Sequence, residues 1–228
     1  MLHYKYVLVD EAQDLSRDEY QFIFGMMRPE HFFVVGDFRQ NIYESLKGAS
    51  AKYMLQLLNE PGVRQYDLNE NYRNKANILN YAKKALKRIH LEDNSIPMST
   101  GGTIYEGRLD ADKLVEWIDK NGSFKDWAIL CYTNEEVKKM MKLLNENFIP
   151  TINFNQKQKT KKELEDLVNT DKVKVLTIWC AKGLGFPNVV VYGRNWMITK
   201  KTAAEKREGV RLDYVAYTRA MDSLMVLK

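Results

Sequence analysis

An α/β fold with parallel sheets is the class this chain predicts, and three observations carry that reading. Short apolar runs of β-branched and aromatic residues recur along the 228 residues. Segments with apolar residues at helical spacing separate most of them, the mark of strands joined by crossover helices. No internal repeat breaks the alternation.

Tyr6-Val7-Leu8-Val9 opens the series. An apolar run of this kind, closed by Asp10, predicts a strand buried in a parallel sheet. Ser16 with Glu19 three residues on forms a capping box; Tyr20, Ile23, Phe24 and Met27 continue at helical spacing until Pro29. His31-Phe32-Phe33-Val34-Val35 predicts a second buried strand, closed by Gly36-Asp37. A helix over 50–59 and a short strand over 64–68 follow. Asn69-Glu70-Asn71-Tyr72-Arg73 then leads into a basic amphipathic helix reaching residue 90.

Residues 91–102, LEDNSIPMSTGG, read as a linker by composition. Beyond it the pattern predicts a strand over 103–106, a helix over 110–120, a strand over 127–132 and a helix over 134–147. Trp117 and Trp127 fall in these periodic segments and are expected in the core. The lysine-rich stretch 155–163 predicts an exposed loop. Strands at Val173–Ile178 and Asn188–Tyr192 flank Lys182-Gly183-Leu184-Gly185-Phe186, and a helix over 207–221 with a strand at Leu224–Leu227 closes the chain.

A hydrophobic fraction of 45% is enough for one large core or two small ones, and 11% aromatic with 29% charged residues excludes a disordered or collagen-like chain. Cys131 and Cys180 are the only cysteines, too few for a disulfide framework or a cysteine zinc site, and His3, His31 and His90 have no ligand spacing. No stretch approaches the roughly 18 apolar residues of a membrane span. The first ten residues run at once into an acidic pair, unlike a signal peptide. A two-lobed cytoplasmic protein with no membrane partner is expected. Net charge is +5, unevenly spread: residues 1–60 hold 6 basic and 9 acidic side chains, residues 126–228 hold 18 and 12. That basic excess suits a polyanion, or is a solvated lysine-rich surface.

The string Val7-Leu8-Val9-Asp10-Glu11-Ala12-Gln13-Asp14 carries the most chemistry. Acids at the C-terminal tip of a parallel strand lie where α/β sheets present ligands. The first carboxylate can hold Mg²⁺ through water, and the second can orient and deprotonate an attacking water. A bare Asp-Glu would read as a strand ending in solvated acids. Here Gln13 and Asp14 follow, and a second strand ends in Gly36-Asp37 three residues before Gln40, so two sheet strands share a polar tip.

Six segments in order resemble the motifs of UvrD/PcrA/Rep-type superfamily 1 DNA helicases, from the second motif onward. They are VLVDEAQD (7–14), VVGDFRQNIY (34–43), LNENYRN (68–74), DWAILCYTN (126–134), VKVLTIWCAKGLGFPNVVV (173–191) and VRLDYVAYTRAMDSLMV (210–226). The resemblance implies two RecA-like lobes of the P-loop NTPase type, the first incomplete. Residues 1–67 would be the C-terminal part of the first lobe and 68–228 the second, without the large inserted subdomain of bigger relatives. It implies ATP and Mg²⁺ as cofactors and single-stranded DNA as partner, with 3′ to 5′ movement.

By the same resemblance Asp10 is the magnesium-linked carboxylate and Glu11 the general base. Gln40 senses the γ-phosphate and couples it to DNA. Arg73 and Arg219 are the guanidinium groups that reach the phosphate across the cleft; their forked donors suit phosphate oxygens. The bland reading of both is a surface or interlobe ion pair. For DNA, the resemblance points to Tyr43 as a base-stacking ring, or alternatively core. It points to Thr177 as a donor to a phosphate and to Lys182 as serving the same cleft. Trp179 stands where the family has His, and either stacks on DNA or packs on a neighbouring strand.

The chain departs from the pattern in one large respect. No G-x-x-x-x-G-K-[ST] occurs, and none of the 12 glycines is followed by Lys. That loop cradles phosphate through backbone amides at a helix N-terminus and through its lysine. Gly185 also replaces the family's Glu, and Glu44-Ser45-Leu46 follows Tyr43 where a Trp is usual. The expectation is an ATP-driven translocase part that is inactive alone and completed by an N-terminal segment or subunit carrying the loop. The alternative is a non-hydrolysing module that binds DNA or a helicase partner.

Overall fold

A computed structural model describes residues 4–26, 30–49, 51–56, 59, 61–153, 169–200 and 202–228. The loop expected over 155–163, and the Met27 and Pro29 end of the first helix, lie outside the described residues.

The long apolar runs of the second half assemble as expected, and one short strand the sequence reading did not place, Thr151–Asn153, joins them at the sheet edge. β5 (Thr103–Gly107), β6 (Trp127–Cys131), β7 (Thr151–Asn153), β8 (Val173–Thr177), β9 (Phe186–Tyr192) and β10 (Ala220–Leu227) form a six-stranded, all-parallel sheet in the order β5-β10-β9-β6-β8-β7. β6 is buried at every position, as a strand covered on both faces must be. On one face Leu114 and Ile118 of α5 (Ala111–Lys120) and Val137, Met140 and Leu144 of α6 (Asn134–Glu146) pack on Trp127, Ile129 and Val190. On the other, Ile78 of α4 (Ala76–Leu86) and Leu212, Val215 and Ala216 of α7 (Ala203–Tyr217) meet Ala128, Leu130, Val189 and Leu224. Each Leu, Ile, Val and Met among them contributes about 1.5–3 kcal/mol on burial, so this sandwich holds most of the apolar stabilisation. Capping boxes at Thr133–Glu136 and Thr202–Glu205 start α6 and α7. Trp127 is fully buried and Trp117 packs edge-on against it at 5.7 Å.

The front of the molecule is thinner. β1 (Tyr6–Val9) and β2 (His31–Val34) pair in parallel, Tyr6 opposite His31 and Val9 opposite Val34. The parallel pairing matches the sequence reading; the expected burial does not. Val7, Val9, Phe32 and Val34 are half-buried, while Leu8 is 78% and Phe33 63% exposed. The reason is the number of layers. α1 (Arg17–Tyr20, with the Ser16–Glu19 capping box) continues as a π-helical turn over Gln21–Met26 and sets Phe24 edge-on against Phe32 at 5.4 Å. Among the described residues nothing covers the opposite face.

Two further expectations are corrected. Residues 64–68 form no strand: Tyr66 is 76% and Leu68 88% exposed, with no neighbouring strand to take their backbone groups. Residues 91–102 are not a free linker. β4 (Ile96–Pro97) pairs with β3 (Glu70–Asn71), and buried Asp93 accepts hydrogen bonds from Arg39, Ser95 and Tyr214. Two short helices, α2 (Glu44–Lys47) and α3 (Ala51–Gln56), complete the front half.

Candidate functional site

The acidic tip begins where β1 ends. Asp10 is exposed, and its Oδ1 accepts the Glu11 amide at 2.8 Å. Glu11 takes left-handed backbone angles, φ 52° and ψ 39°, before a 3-10 turn over Ala12–Asp14. A non-glycine residue pays strain there, and such strain clusters where a side chain must be aimed.

Buried Gln13 then joins the tips of the two front strands. Its Nε2 donates to Glu11 Oε2 and its Oε1 accepts the Asp37 amide at 2.9 Å. Asp37 starts the 3-10 turn Phe38–Gln40, and its Oδ2 accepts from Gln40 Nε2 at 3.0 Å. Gln40 Oε1 in turn accepts from Arg219 Nη2 at 3.2 Å. A continuous hydrogen-bonded path therefore runs from Glu11 through Gln13, Asp37 and Gln40 to Arg219 in the rear half.

The rear half presents its guanidinium groups by local hydrogen bonding. Asn71 Oδ1 accepts the amides of Arg73 and Asn74, a turn that aims Arg73 outward. Buried Asn74 uses its Nδ2 on the carbonyls of Thr218 and Ala220, which bracket Arg219. One asparagine thus locks the two arginine segments together. Arg219 is 1% exposed; its Nε donates to Val215 O and its Nη1 to Leu184 O, both at 3.0 Å. Burial and the nearby Arg73 charge lower its pKa to about 10, while Glu11 acts in the opposite direction. Arg73 is exposed, its stem passes over Gly185, and it has no ion-pair partner among the described residues. Gln40 and Arg219 are therefore in contact, and the charges of Glu11 and Arg73 both act on Arg219.

Leu184 reaches Arg219 because Ala181–Leu184 make a tight turn. The Leu184 amide donates to Ala181 O at 3.0 Å, with Gly183 at φ +80°, a conformation glycine adopts without strain. The same turn aims Lys182 forward. Its Nζ bonds Asp14 Oδ2, lies 3.3 Å from Glu11 Oε2 and sits 5.6 Å from the Tyr43 ring centre. Burial pushes the Asp14 carboxyl up, opposed by the Lys182 bond and charge. Burial likewise raises the Tyr43 phenol, with the Asp14 charge adding to it.

The residues with expected DNA roles separate. Tyr43 is half-buried and packs against the main core, with Lys47 on its ring at 6.0 Å. Thr177 ends β8, half-buried, and leads the 3-10 turn Ile178–Ala181. Trp179 packs against the same core, and its buried Nε1 has no hydrogen-bond partner among the described residues. Gln13, Asp37, Asn74 and Asp93 were given no role from sequence. The first two lie within the quoted strand-tip strings, so their polarity was the available signal. Nothing local marks Asn74 or Asp93, whose partners are distant in sequence.

Among the described residues no group of three or more His, Cys, Asp or Glu could hold a metal. Asp10 fits a magnesium ion whose other ligands are waters and phosphate oxygens, the usual arrangement for that ion. Gln40, Arg73 and Arg219 supply donors of the kind a terminal phosphate takes. The amide cradle for the remaining phosphates is not among these residues.

The class defined by this geometry is an α/β protein whose acidic strand tips are joined by hydrogen bonds to a buried arginine, with a second arginine beside it. Residues 2–61 match the model of the UvrD/REP helicase N-terminal domain, and residues 151–228 that of the UvrD-like helicase C-terminal domain. Together these two matches take in more than half of the chain, which belongs to the UvrD-like DNA helicase family.

DNA helicase II of Haemophilus influenzae is 27% identical over 146 residues, 58% of this chain and 20% of that protein. The ATP-dependent DNA helicase Rep of Escherichia coli is 27% identical over 161 residues, 64% of this chain and 24% of that protein. A probable DNA helicase of Mycoplasma pneumoniae is 28% identical, covering 97% of this chain and 43% of that protein. The chain spans about a fifth to a quarter of the first two relatives. The solved C-terminal domain of a possible DNA helicase from Lactobacillus plantarum aligns with a TM-score of 0.47 and 19% identity, over 69% of this chain and 86% of that one.

Proposed function

We propose that this chain is the cleft-forming part of an ATP-dependent translocase on single-stranded DNA. Residues 1–67 belong to the first RecA-like lobe and 68–228 make the second. The observation that carries the reading is the hydrogen-bonded path from Glu11 to Arg219, beside an Arg73 with no ion-pair partner among the described residues. A pure binding module has no need of a carboxylate and guanidinium groups so joined.

In this reading Asp10 takes magnesium through water, and bound magnesium nucleotide supplies the phosphoryl group and neutralises its charge. Glu11 orients and deprotonates the attacking water. Gln40 senses the terminal phosphate, being already linked to both halves. Arg73 and Arg219 stabilise charge on it; Arg219 exchanges its Gln40 bond for phosphate, while its Nε and Nη1 donors anchor it to the backbone. Tyr43, Thr177 and Trp179 line the DNA side.

Phosphate-loop function comes from a segment or subunit outside these residues, so the chain alone hydrolyses ATP negligibly. Among the described residues one face and both edges of the β1–β2 sheet are left uncovered, which supports such a completion. The test is ATP hydrolysis with single-stranded DNA, for the chain alone and with an added segment carrying a G-x-x-x-x-G-K-[ST] loop. Restored turnover is expected. Glu11→Gln should abolish it and spare DNA binding; equal loss of both would make Glu11 structural.

A second reading, a non-hydrolysing DNA- or partner-binding module, is favoured by the missing loop motif. DNA binding without hydrolysis under every supplementation would establish it and end the first.

A further inference from the structure

Lys182 is surrounded by groups unlike those around a free phosphate contact. Its side chain is 8% exposed. A lysine ammonium has three donors and no acceptor. Here one faces Asp14 Oδ2, one faces Glu11 Oε2 at 3.3 Å, and the charge lies 5.6 Å from the Tyr43 ring centre. All three of these neighbours come from the opposite half of the molecule. Moving the ammonium to a phosphate would take the nearest cation from Asp14, a half-buried carboxylate whose Oδ1 has no hydrogen-bond partner among the described residues. Glu11 Oε2 would also lose one of its two holders, Gln13 from its own half and Lys182 from across the cleft.

We propose that Lys182 is an interlobe positioning residue for the Glu11 carboxylate, latched to Asp14, and not a contact to nucleic acid. The inference rests on the translocase reading for the role of Glu11, but the latch itself does not. Because Gly183 fixes the turn that aims Lys182 and presents Leu184 to Arg219, one short segment sets both the base and the guanidinium. A shift of this turn would disturb Glu11 and Arg219 together.

The test is a double-mutant cycle on the intact chain, with K182M and D14N compared by urea unfolding. Non-additive shifts of the midpoint are expected, because each variant removes the same contact. Additive shifts overturn the latch. Binding of oligothymidylate across a salt series supplies the second measurement. K182M should keep the wild-type log–log slope; a slope shallower by about one charge would make Lys182 a phosphate contact and overturn the proposal. Should K182M fail to fold, K182R, which retains the charge, takes its place. Its stability should still respond to D14N, and indifference overturns the latch. Failure of the wild-type chain to bind oligothymidylate counts against the function proposed above, while the cycle still decides the latch.

Discussion

Lys174 shows how a single buried charge shapes stability. It is fully buried in β8, donating to the carbonyls of Lys125 at 2.8 Å and Thr170 at 2.9 Å. Burial lowers its pKa to about 8, against 10.5 for a free lysine. Between these values the unfolded chain binds more protons than the folded one, so unfolding free energy rises with pH through that window. Below about pH 8 both states are protonated and the charging penalty, on the order of 3 kcal/mol, is carried in full. Urea unfolding at pH 7.5 and 10 should show wild type gaining on K174M as pH rises; parallel curves would remove this account. Gln13 and Lys182 make the same point at the cleft, where a residue's role follows from what its few donors already hold.

Among elements, the segment 71–74 and the start of β10 are joined by the Asn74 side chain. Asn74→Ala removes two donated bonds and leaves two carbonyls and the Asn71 side-chain Nδ2 without their partner. A loss of about 2–3 kcal/mol in unfolding free energy is expected, since buried polar groups are stranded. A change under 0.5 kcal/mol would mean water replaces the amide. α2 and α7 are joined differently: Glu44 bonds Arg207 at 2.7 Å and Arg211 at 2.6 Å, beside Ser45 N on Glu208. Glu44→Ala should cost about 1 kcal/mol at low salt and less at high salt, because Arg207 is partly exposed. β3 and β4 are two-residue strands that hold the 91–102 segment against the rear half, which composition alone assigned to a linker.

At the scale of the whole molecule, stability is uneven. The six-stranded sandwich buries its central strands β6, β8 and β9 on both faces, whereas the β1–β2 sheet is covered on one. Amide hydrogen exchange should be slowest in β6, β9 and β10 and much faster in β1 and β2, reflecting local opening at lower free energy. Uniform protection would contradict the layered account. Leu8→Lys and Phe33→Lys should change unfolding free energy by no more than about 0.5 kcal/mol, since both side chains already face solvent. The same changes should block restoration of hydrolysis by a loop-bearing segment if that segment covers this face.

Sequence alone determined the α/β class, the parallel strands, the cap boxes at Ser16 and the acidic tip at Asp10–Glu11, because periodicity and capping are local properties of the chain. It also marked Gln40, Arg73, Arg219 and Lys182 as candidates, through short strings whose residues are close in sequence. Only the tertiary structure decided that β1 and β2 lie half-exposed, that 91–102 is packed, that Asn74 locks two arginine segments, and that Lys182 faces carboxylates. Each of those depends on which layer covers which face and which distant donor meets which acceptor, and such long-range pairings leave no local period to read.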